Sequence, residues 1–285
     1  MPEPLSILFW NLRMARKRKP VEVTNVLEAI DAFADTKSVD IFLFAESAFL
    51  EPRILPLLNQ ASPEFASVHP NDAAVHVYCR RTVACELLPS ATGKARWNGY
   101  RVRNRQELPF VLVGTHSPSK LHGDVGRQEE FADQLRTDLD HWLAIERHRR
   151  AILCGDFNMN PCDPGLASFR GLQAVMARAD AKRERKMGWR IRPKLYNPMW
   201  RLWGGESLGT HYYAGGGDAL AYYWHTLDHV ILTPAMLDAF RDDELAVLRS
   251  AGTNRLVNRN GRPRDDMSDH LPIHFQIHAL GGAVP

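Results

Sequence analysis

Ala151-Ile152-Leu153-Cys154-Gly155-Asp156-Phe157-Asn158 is the stretch on which the fold turns. Four apolar residues in a row, too few for a helix, read as a strand buried on both faces, and Gly155 marks its end. Asp156 and Asn158 stand two apart, so on an extended segment they point the same way and offer a carboxylate and an amide to one metal ion or one phosphate. Gly, Asp and Asn are also turn formers, which is the plainer reading of the tetrapeptide taken alone.

Outward from this strand the periodicity changes sign repeatedly. Just upstream, Phe131, Leu135, Leu139, Trp142 and Leu143 recur at helical spacing and predict an amphipathic helix from about Arg127 to Glu146. Toward the N-terminus, Leu5 to Trp10 reads as a buried strand. A loop to Pro20 and a helix with Val23, Val26, Leu27, Ile30 and Phe33 on one face follow, then a second buried strand from Val39 to Ala45. Shorter strand candidates occupy Val75 to Cys79, Val83 to Leu87, Trp97 to Val102 and Phe110 to Gly114. Near the C-terminus Thr226 to Leu232 and Leu271 to Ile277 give two more, the last with Ile273, Phe275 and Ile277 inward and His274, Gln276 and His278 outward. Strand clusters interrupted by single helices, without a strict βαβ repeat, predict an α+β layered sandwich with helices outside.

The composition agrees. Of 285 residues 45% are hydrophobic and 24% charged, and 36 Lys and Arg face 33 Asp and Glu, the profile of a globular enzyme rather than of a disordered, collagenous or coiled-coil chain. No linker separates two cores, so 1–285 is expected to be a single domain. No uncharged apolar run reaches the roughly 18 residues of a spanning helix. Met1-Pro2-Glu3-Pro4 lacks a basic n-region, and Cys79, Cys85, Cys154 and Cys162 show no Cys-x-x-Cys spacing and read as reduced thiols. A cytoplasmic monomer without a membrane partner is expected.

Acidic, amide and imidazole side chains recur where predicted strands end. Glu46 follows a nonpolar run and implies a cleft carboxylate that must be neutral, paired or bound to a cation. Asn11 follows Trp10, and His116 sits in Gly114-Thr115-His116-Ser117. Leu227-Asp228-His229 and Ser268-Asp269-His270 each hold an Asp-His pair; a carboxylate that fixes the imidazole tautomer leaves the other ring nitrogen free to handle a proton or a phosphate. With 12 histidines in the chain, a single such dipeptide arises readily by chance.

In order along the chain, Trp10-Asn11, Ala45-Glu46, Thr115-His116, Gly155-Asp156-Phe157-Asn158, Leu227-Asp228-His229 and Ser268-Asp269-His270 resemble the motif series of the endonuclease/exonuclease/phosphatase superfamily, over about residues 5 to 278. The resemblance implies a four-layer α/β sandwich, two packed mixed β-sheets flanked by helices, and a Mg²⁺-dependent phosphoric ester hydrolase, with Mn²⁺ as the alternative ion. It implies Glu46 as the main metal ligand with Asn11 and Asp269, and Asp156 and Asn158 orienting water and phosphate or holding a second metal. His270, oriented by Asp228, would handle the proton or bind the phosphate, and His116 would contact the phosphate or the leaving group. His229 is expected to be structural. The chain departs from the family's abasic endonucleases and deadenylases, which usually place Gln before the metal-binding Glu; here Ala45 stands there. The inositol phosphatases' signature is absent from Gly261 to Ser268.

Basic clusters suggest the substrate. Arg13, Arg16, Lys17, Arg18 and Lys19 follow Asn11 directly and are expected to rim the metal site. Arg101, Arg103 and Arg105 alternate along a predicted strand. A basic, aromatic-rich insertion at about 178–215 carries Lys186 and Arg190 among nine cations between Arg178 and Glu206, interleaved with Trp189, Tyr196, Trp200 and Trp203, and ends near a mobile turn at Gly215-Gly216-Gly217. Cations track phosphates and aromatic rings stack on bases, so nucleic acid, DNA before RNA, is the expected partner. A solvated surface, with tryptophans merely packing the insertion onto the core, is the plainer reading. The rival functions are a phosphatase or phosphodiesterase on a small or lipid-linked phosphate, and a non-catalytic binding member. His211, His225 and His229 offer imidazoles for zinc, without the tight spacing of a zinc motif.

Overall fold

The computed structural model describes residues 3–93, 96–103, 108–119, 125–188, 190–203, 205, 208–215 and 223–279. Arg105, Trp189, Gly216 and Gly217, and the side chain of Arg190, lie outside the described residues.

The chain opens with β1 (Leu5–Asn11), α1 (Pro20–Thr36) and β2 (Ile41–Ala45). It continues through α2 (Glu51–Leu58), β3 (Phe65–Ser67), β4 (Val75–Arg80), β5 (Ala84–Leu87), β6 (Trp97–Arg103), β7 (Phe110–His116), α3 (Val125–Ile145) and β8 (Ala151–Asp156). One six-stranded sheet runs Ala246–Val247, Ile273–Ile277, β1, β2, β4, β3, parallel only at β1–β2. The seven-stranded sheet runs β5, β6, β7, β8, Asp228–Leu232, Leu195–Tyr196, Ala174–Val175, parallel at β7–β8 and between its last two members. Both sheets are mixed, and β1, β2 and β4 face β7 and β8 across the interior.

Alternation along each strand divides the core. Leu43 of β2 and Val75 of β4 point inward and close on Gly114 of β7. On the other face of the seven-stranded sheet Val111, Val113, Leu153 and Ile231 join Phe131, Leu135, Leu139 and Trp142 of α3. Gly99 is required there, because a Cβ would stand 2.7 Å from the Trp142 ring. On the outer face of the first sheet Trp10 meets Phe33 of α1 edge-on at 6.2 Å. The result is helix, sheet, sheet, helix, the four layers expected. Pro20 opens α1, where its missing N–H is harmless, and Glu22 accepts from the Lys19 backbone N–H at 2.8 Å.

Two readings change. His274 points away from the sandwich interior but not into water; it is buried and its Nε2 lies 2.9 Å from Ser6 Oγ. The helix α2 and the short strand β3 have no counterpart in the sequence reading, because Pro52 and Pro56 break the helical pattern. No helix among the described residues is long and apolar enough to cross a membrane. None of the four cysteines is in a disulfide among the described residues, and only Cys162 is exposed.

One buried carboxylate ties α3 to the sheet. Asp138 accepts from Trp97 Nε1 at 2.6 Å, Ser90 Oγ at 2.9 Å, Thr92 Oγ1 at 2.7 Å and the backbone N–H groups of Ala91 and Thr92 at 2.7 and 3.0 Å. Burial opposes its charge, yet these donors hold its carboxyl below the usual range. Asp138→Ala strands several buried donors and is expected to lower stability by about 3–5 kcal/mol. Chemical denaturation at neutral pH checks this, and a loss under about 1 kcal/mol would show that the network relaxes onto water.

Candidate active site

The site is built where inward-facing rows of the sandwich run out of apolar residues. Along β7, Leu112 and Gly114 point into the core and His116 is next in the row; along β8, Ile152 and Cys154 lead to Asp156. Asp228 opens the row continued by Val230 and Leu232, and Asn11 ends the row of Ile7 and Phe9 in β1. Register finishes the work, since His116 and Asp228 both pair with Asp156, and Asn11 pairs with Ala45, the neighbour of Glu46. Four strand ends therefore deliver their polar residues to one edge of the sandwich. Gly155 precedes Asp156 because a Cβ there would collide with the Thr115 carbonyl.

Glu46 and Asn158 adopt left-handed backbone, φ 47° and 51°. For Glu46 this is a conformation that a non-glycine residue holds only when its surroundings enforce it. The Glu46 carbonyl accepts from Met14 N at 2.6 Å and Ser47 Oγ donates to the Phe44 carbonyl at 3.1 Å. Asn11 Nδ2 donates toward Glu46 Oε1 at 3.4 Å and Asp156 Oδ2 at 3.0 Å, so both carboxylates converge on one amide. Asn158 is fixed by its N–H on Asp156 Oδ1 (2.8 Å) and its Nδ2 on the Ser117 carbonyl (2.9 Å).

The histidines close the cluster. His270 Nδ1 lies 2.8 Å from Asp228 Oδ2, and its Nε2 lies 3.9 Å from Asp156 Oδ2. His116 Nε2 stands 3.7 Å from Glu46 Oε1 and 3.8 Å from Asp156 Oδ2. Burial disfavours a charge on His270, but the Asp228 and Asp156 carboxylates outweigh it and push the imidazole up to about 10. Burial raises the Asp156 carboxyl, with His270 pulling against it and the Asp228 carboxylate adding to the rise. The backbone of the Ser268–His270 turn is pinned to β1, with Ser268 Oγ donating to the Asn11 carbonyl at 2.6 Å and Trp10 Nε1 to the His270 carbonyl at 2.9 Å.

Asn11, Glu46, His116, Asp156, Asn158, Asp228 and His270 are thus brought together. Asp269 lies at the rim, its Oδ2 3.4 Å from Arg13 Nε and 3.9 Å from His211 Nε2. Arg16, Lys17 and Lys19 are exposed in the loop after β1, whereas Arg18 is engaged by Glu22 at 3.2 Å. His229 faces the other side of its strand, as alternation requires, with Nδ1 3.1 Å from Asn197 Nδ2 and Nε2 2.8 Å from the Met159 carbonyl.

The basic segment does not behave as one substrate-facing insertion. Leu195–Tyr196 and Ala174–Val175 are strands of the seven-stranded sheet. Arg178 is locked to Asp242 and the Leu237 and Phe240 carbonyls, and Arg192 to Asp133. Lys186 stands exposed on the hairpin Glu184–Met187/Arg190–Pro193, whose Pro193 carbonyl accepts from Arg136 at 3.1 Å and whose Ile191 lies over the C-terminal half of α3. The Asn11–His270 cluster touches the other end of that helix, where Gln128 Nε2 donates to the Asn158 carbonyl at 2.8 Å. Lys186 is therefore not brought to the cluster. Arg101 is likewise held by Glu146 and Glu86.

Thr210 has no place in the sequence reading, and His211 enters it only as an imidazole for zinc. Thr210, fully buried, accepts from the N–H groups of Leu227 and Asp228 through Oγ1 and so fixes the approach of Asp228. His211 pairs with His270 in an isolated β-bridge, with ring centroids 4.6 Å apart. The sequence signal, Gly209-Thr210-His211 ahead of Gly215-Gly216-Gly217, is too short to stand out.

Comparison with known proteins bears on all of this. The sequence matches the profile of the Endonuclease/Exonuclease/phosphatase family over residues 8–270. No curated protein sequence matches significantly. Among solved structures, an endonuclease/exonuclease/phosphatase family protein from Bacteroides thetaiotaomicron is similar at 17% identity and a TM-score of 0.61, covering 97% of this chain and 98% of that one. TDP2 of D. rerio, solved with a single-strand DNA product, gives 15% identity and 0.59 over 98% and 100% of the two chains. A 3′–5′ exonuclease from Neisseria meningitidis gives 16% and 0.56 over 96% and 100%.

Proposed function

Because the chain belongs to the endonuclease/exonuclease/phosphatase family, a family of phosphoric ester hydrolases, we propose that it is a divalent-metal-dependent phosphodiesterase of nucleic acid, with DNA the favoured substrate. The observation that carries this reading is the imidazole of His270, held by Asp228 on one nitrogen and presented beside Asp156 with the other.

The residues fit a hard cation. Oxygen donors of Glu46 and Asp156 converge where the Asn11 amide stands between them, and Glu46 is partly open to the cleft. Glu46, Asn11 and Asp269, with Asp156 and Asn158 beside them, would hold Mg²⁺, or Mn²⁺ in its place. When bound, the ion neutralises charge on the phosphate oxygens. The protein's own groups do the rest. Asp156, kept from solvent, orients the attacking water and accepts its proton, and Asn158 holds Asp156 through its N–H. His270, protonated against Asp228, donates hydrogen bonds to the phosphate as negative charge develops on it. His116 stands across from His270 with its Nε2 toward the same carboxylates, placed to contact the phosphate or the leaving oxygen.

Arg13, Arg16, Lys17 and Lys19 would track the flanking phosphates, and Arg18 would join them on leaving Glu22. Two features support nucleic acid: this basic loop beside the site, and the single-strand DNA product found with the structurally similar D. rerio protein. A soluble cytoplasmic monomer completes the reading.

Purified protein should cleave plasmid or single-stranded DNA with Mg²⁺ or Mn²⁺ and not with EDTA. A substrate gripped by several cations should also lose affinity steeply between low and moderate salt. Turnover of inositol phosphates or sphingomyelin with no cleavage of DNA or RNA would replace this reading by that of a small- or lipid-linked-phosphate hydrolase.

A further inference from the structure

We propose that His211, Asp269 and His270 form a second metal site, selective for a borderline cation such as Zn²⁺, whose occupation stops hydrolysis. It shares Asp269 with the oxygen-rich site at Glu46 but takes its other two donors from imidazoles, and it does not depend on which phosphate ester is cleaved. One donor atom from each of the three residues lies within 4.8 Å of the others, and His211 Nε2 is 3.9 Å from Asp269 Oδ2. Donors around tetrahedral zinc sit about 3.3 Å apart, so modest side-chain rotations close the site.

The donor set is two imidazoles and one carboxylate, which suits Zn²⁺ and is poor for Mg²⁺. The supporting hydrogen bond is in place: His270 gives Nδ1 to Asp228, which turns Nε2 outward as a ligand in the carboxylate–histidine arrangement that raises ligand basicity. The β-bridge between His211 and His270 fixes both backbones, and Thr210 and Leu271 are joined by a further backbone bond at 2.7 Å. His211 Nδ1 is buried without a hydrogen-bond partner, so the ring has no competing structural task at that nitrogen. The groups facing the site are Arg13, 3.4 Å from Asp269, the carboxylates of Asp156 and Asp228, and His225 beside His211. Arg13 and Asp269 are each more than a third exposed, so their pair is weak and yields to a cation. Three protein ligands leave a fourth position for water or phosphate oxygen. Occupation releases the His270 Nε2 proton to solvent and takes that nitrogen out of catalysis, since a nitrogen that binds metal cannot donate to the phosphate.

The test uses the full chain. Zn²⁺ is titrated against a chromophoric chelator, and Co²⁺ is followed by its visible absorption, for the wild type, His211→Gln, Glu46→Gln and Cys162→Ser. One equivalent of zinc should bind the wild type, Glu46→Gln and Cys162→Ser alike, and His211→Gln should weaken it about 10–100-fold. Hydrolysis in millimolar Mg²⁺ should fall at least about tenfold with micromolar Zn²⁺ in the wild type, and less than about twofold in His211→Gln, each read against the same protein without zinc. His211→Phe, with folding followed by circular dichroism, separates a lost ligand from a lost fold. Zinc that fails to bind the wild type, or binds His211→Gln equally well, or leaves with Cys162→Ser, overturns the site. Because metal binding is read without turnover, failure of the hydrolase reading leaves this result standing.

Discussion

Replacing His270 with alanine should lower turnover by about 10²–10³-fold while KM changes little, because a hydrogen-bond donor aimed at the charge developing on the phosphate contributes about that much. The arrangement makes this substitution clean. The backbone of His270 is anchored by Trp10 Nε1 and Ser268 Oγ, neither of which uses the imidazole, so the turn survives its loss. Asp228→Asn keeps the shape but removes the charge that orients and supports the ring, and should cost less than His270→Ala. The double variant should be little worse than His270→Ala alone, since both act through one ring. Steady-state kinetics on the substrate identified in the cleavage panel decide it, with circular dichroism confirming the fold. Activity within about threefold of wild type in His270→Ala would remove the imidazole from the mechanism.

The second large effect is on stability, in mild acid. His76, His229 and His274 are buried, and burial lowers each imidazole to about 4. In the unfolded chain each returns to the ordinary range near 6.5. Between those values the unfolded state binds protons that the folded state refuses, so stability is full above about pH 6.5 and falls as pH drops toward 4. Each histidine contributes up to about 1.4 kcal/mol per pH unit, so together they are expected to remove several kcal/mol between pH 6.5 and 5. Denaturant midpoints measured across that range check this. His229→Gln, which can still bond Met159 or Asn197, should flatten the dependence by about one proton. A midpoint unchanged down to pH 5 would mean that these rings are protonated in the native protein.

Strand identity was legible from the sequence wherever a strand is buried on both faces, because uninterrupted runs such as Ile41–Ala45 and Ala151–Asp156 have no competing interpretation at that length. The helix α3 differs from its expected limits by two residues at the start and one at the end. What could not be read is what depends on register. That His116 and Asp228 lie opposite Asp156 follows from pairings between distant segments, which no local pattern encodes. The candidate residues were recognisable because their motifs recur in order; the convergence of Asn11 on both Glu46 and Asp156 was not. The basic segment misled for a physical reason. Arginine serves equally well to satisfy buried carbonyls and to bind phosphate, and composition does not distinguish Arg178 on Leu237 and Phe240 from Arg13 at the open rim.

The seam between β1 and the strand Ile273–Ile277 has a kinetic meaning. Ser268 and His270 are held to Asn11 and Trp10 across sequence separations of 257 and 260 residues. These contacts are among the most non-local in the molecule, and their loop-closure cost delays them in folding. During synthesis β1 emerges early and waits, an unpartnered sheet edge, until its last neighbour leaves the ribosome. A nascent chain therefore carries Glu46 and then Asp156 before the imidazole of His270 can join them, and the cluster closes only once the strand Ile273–Ile277 is free to pair with β1.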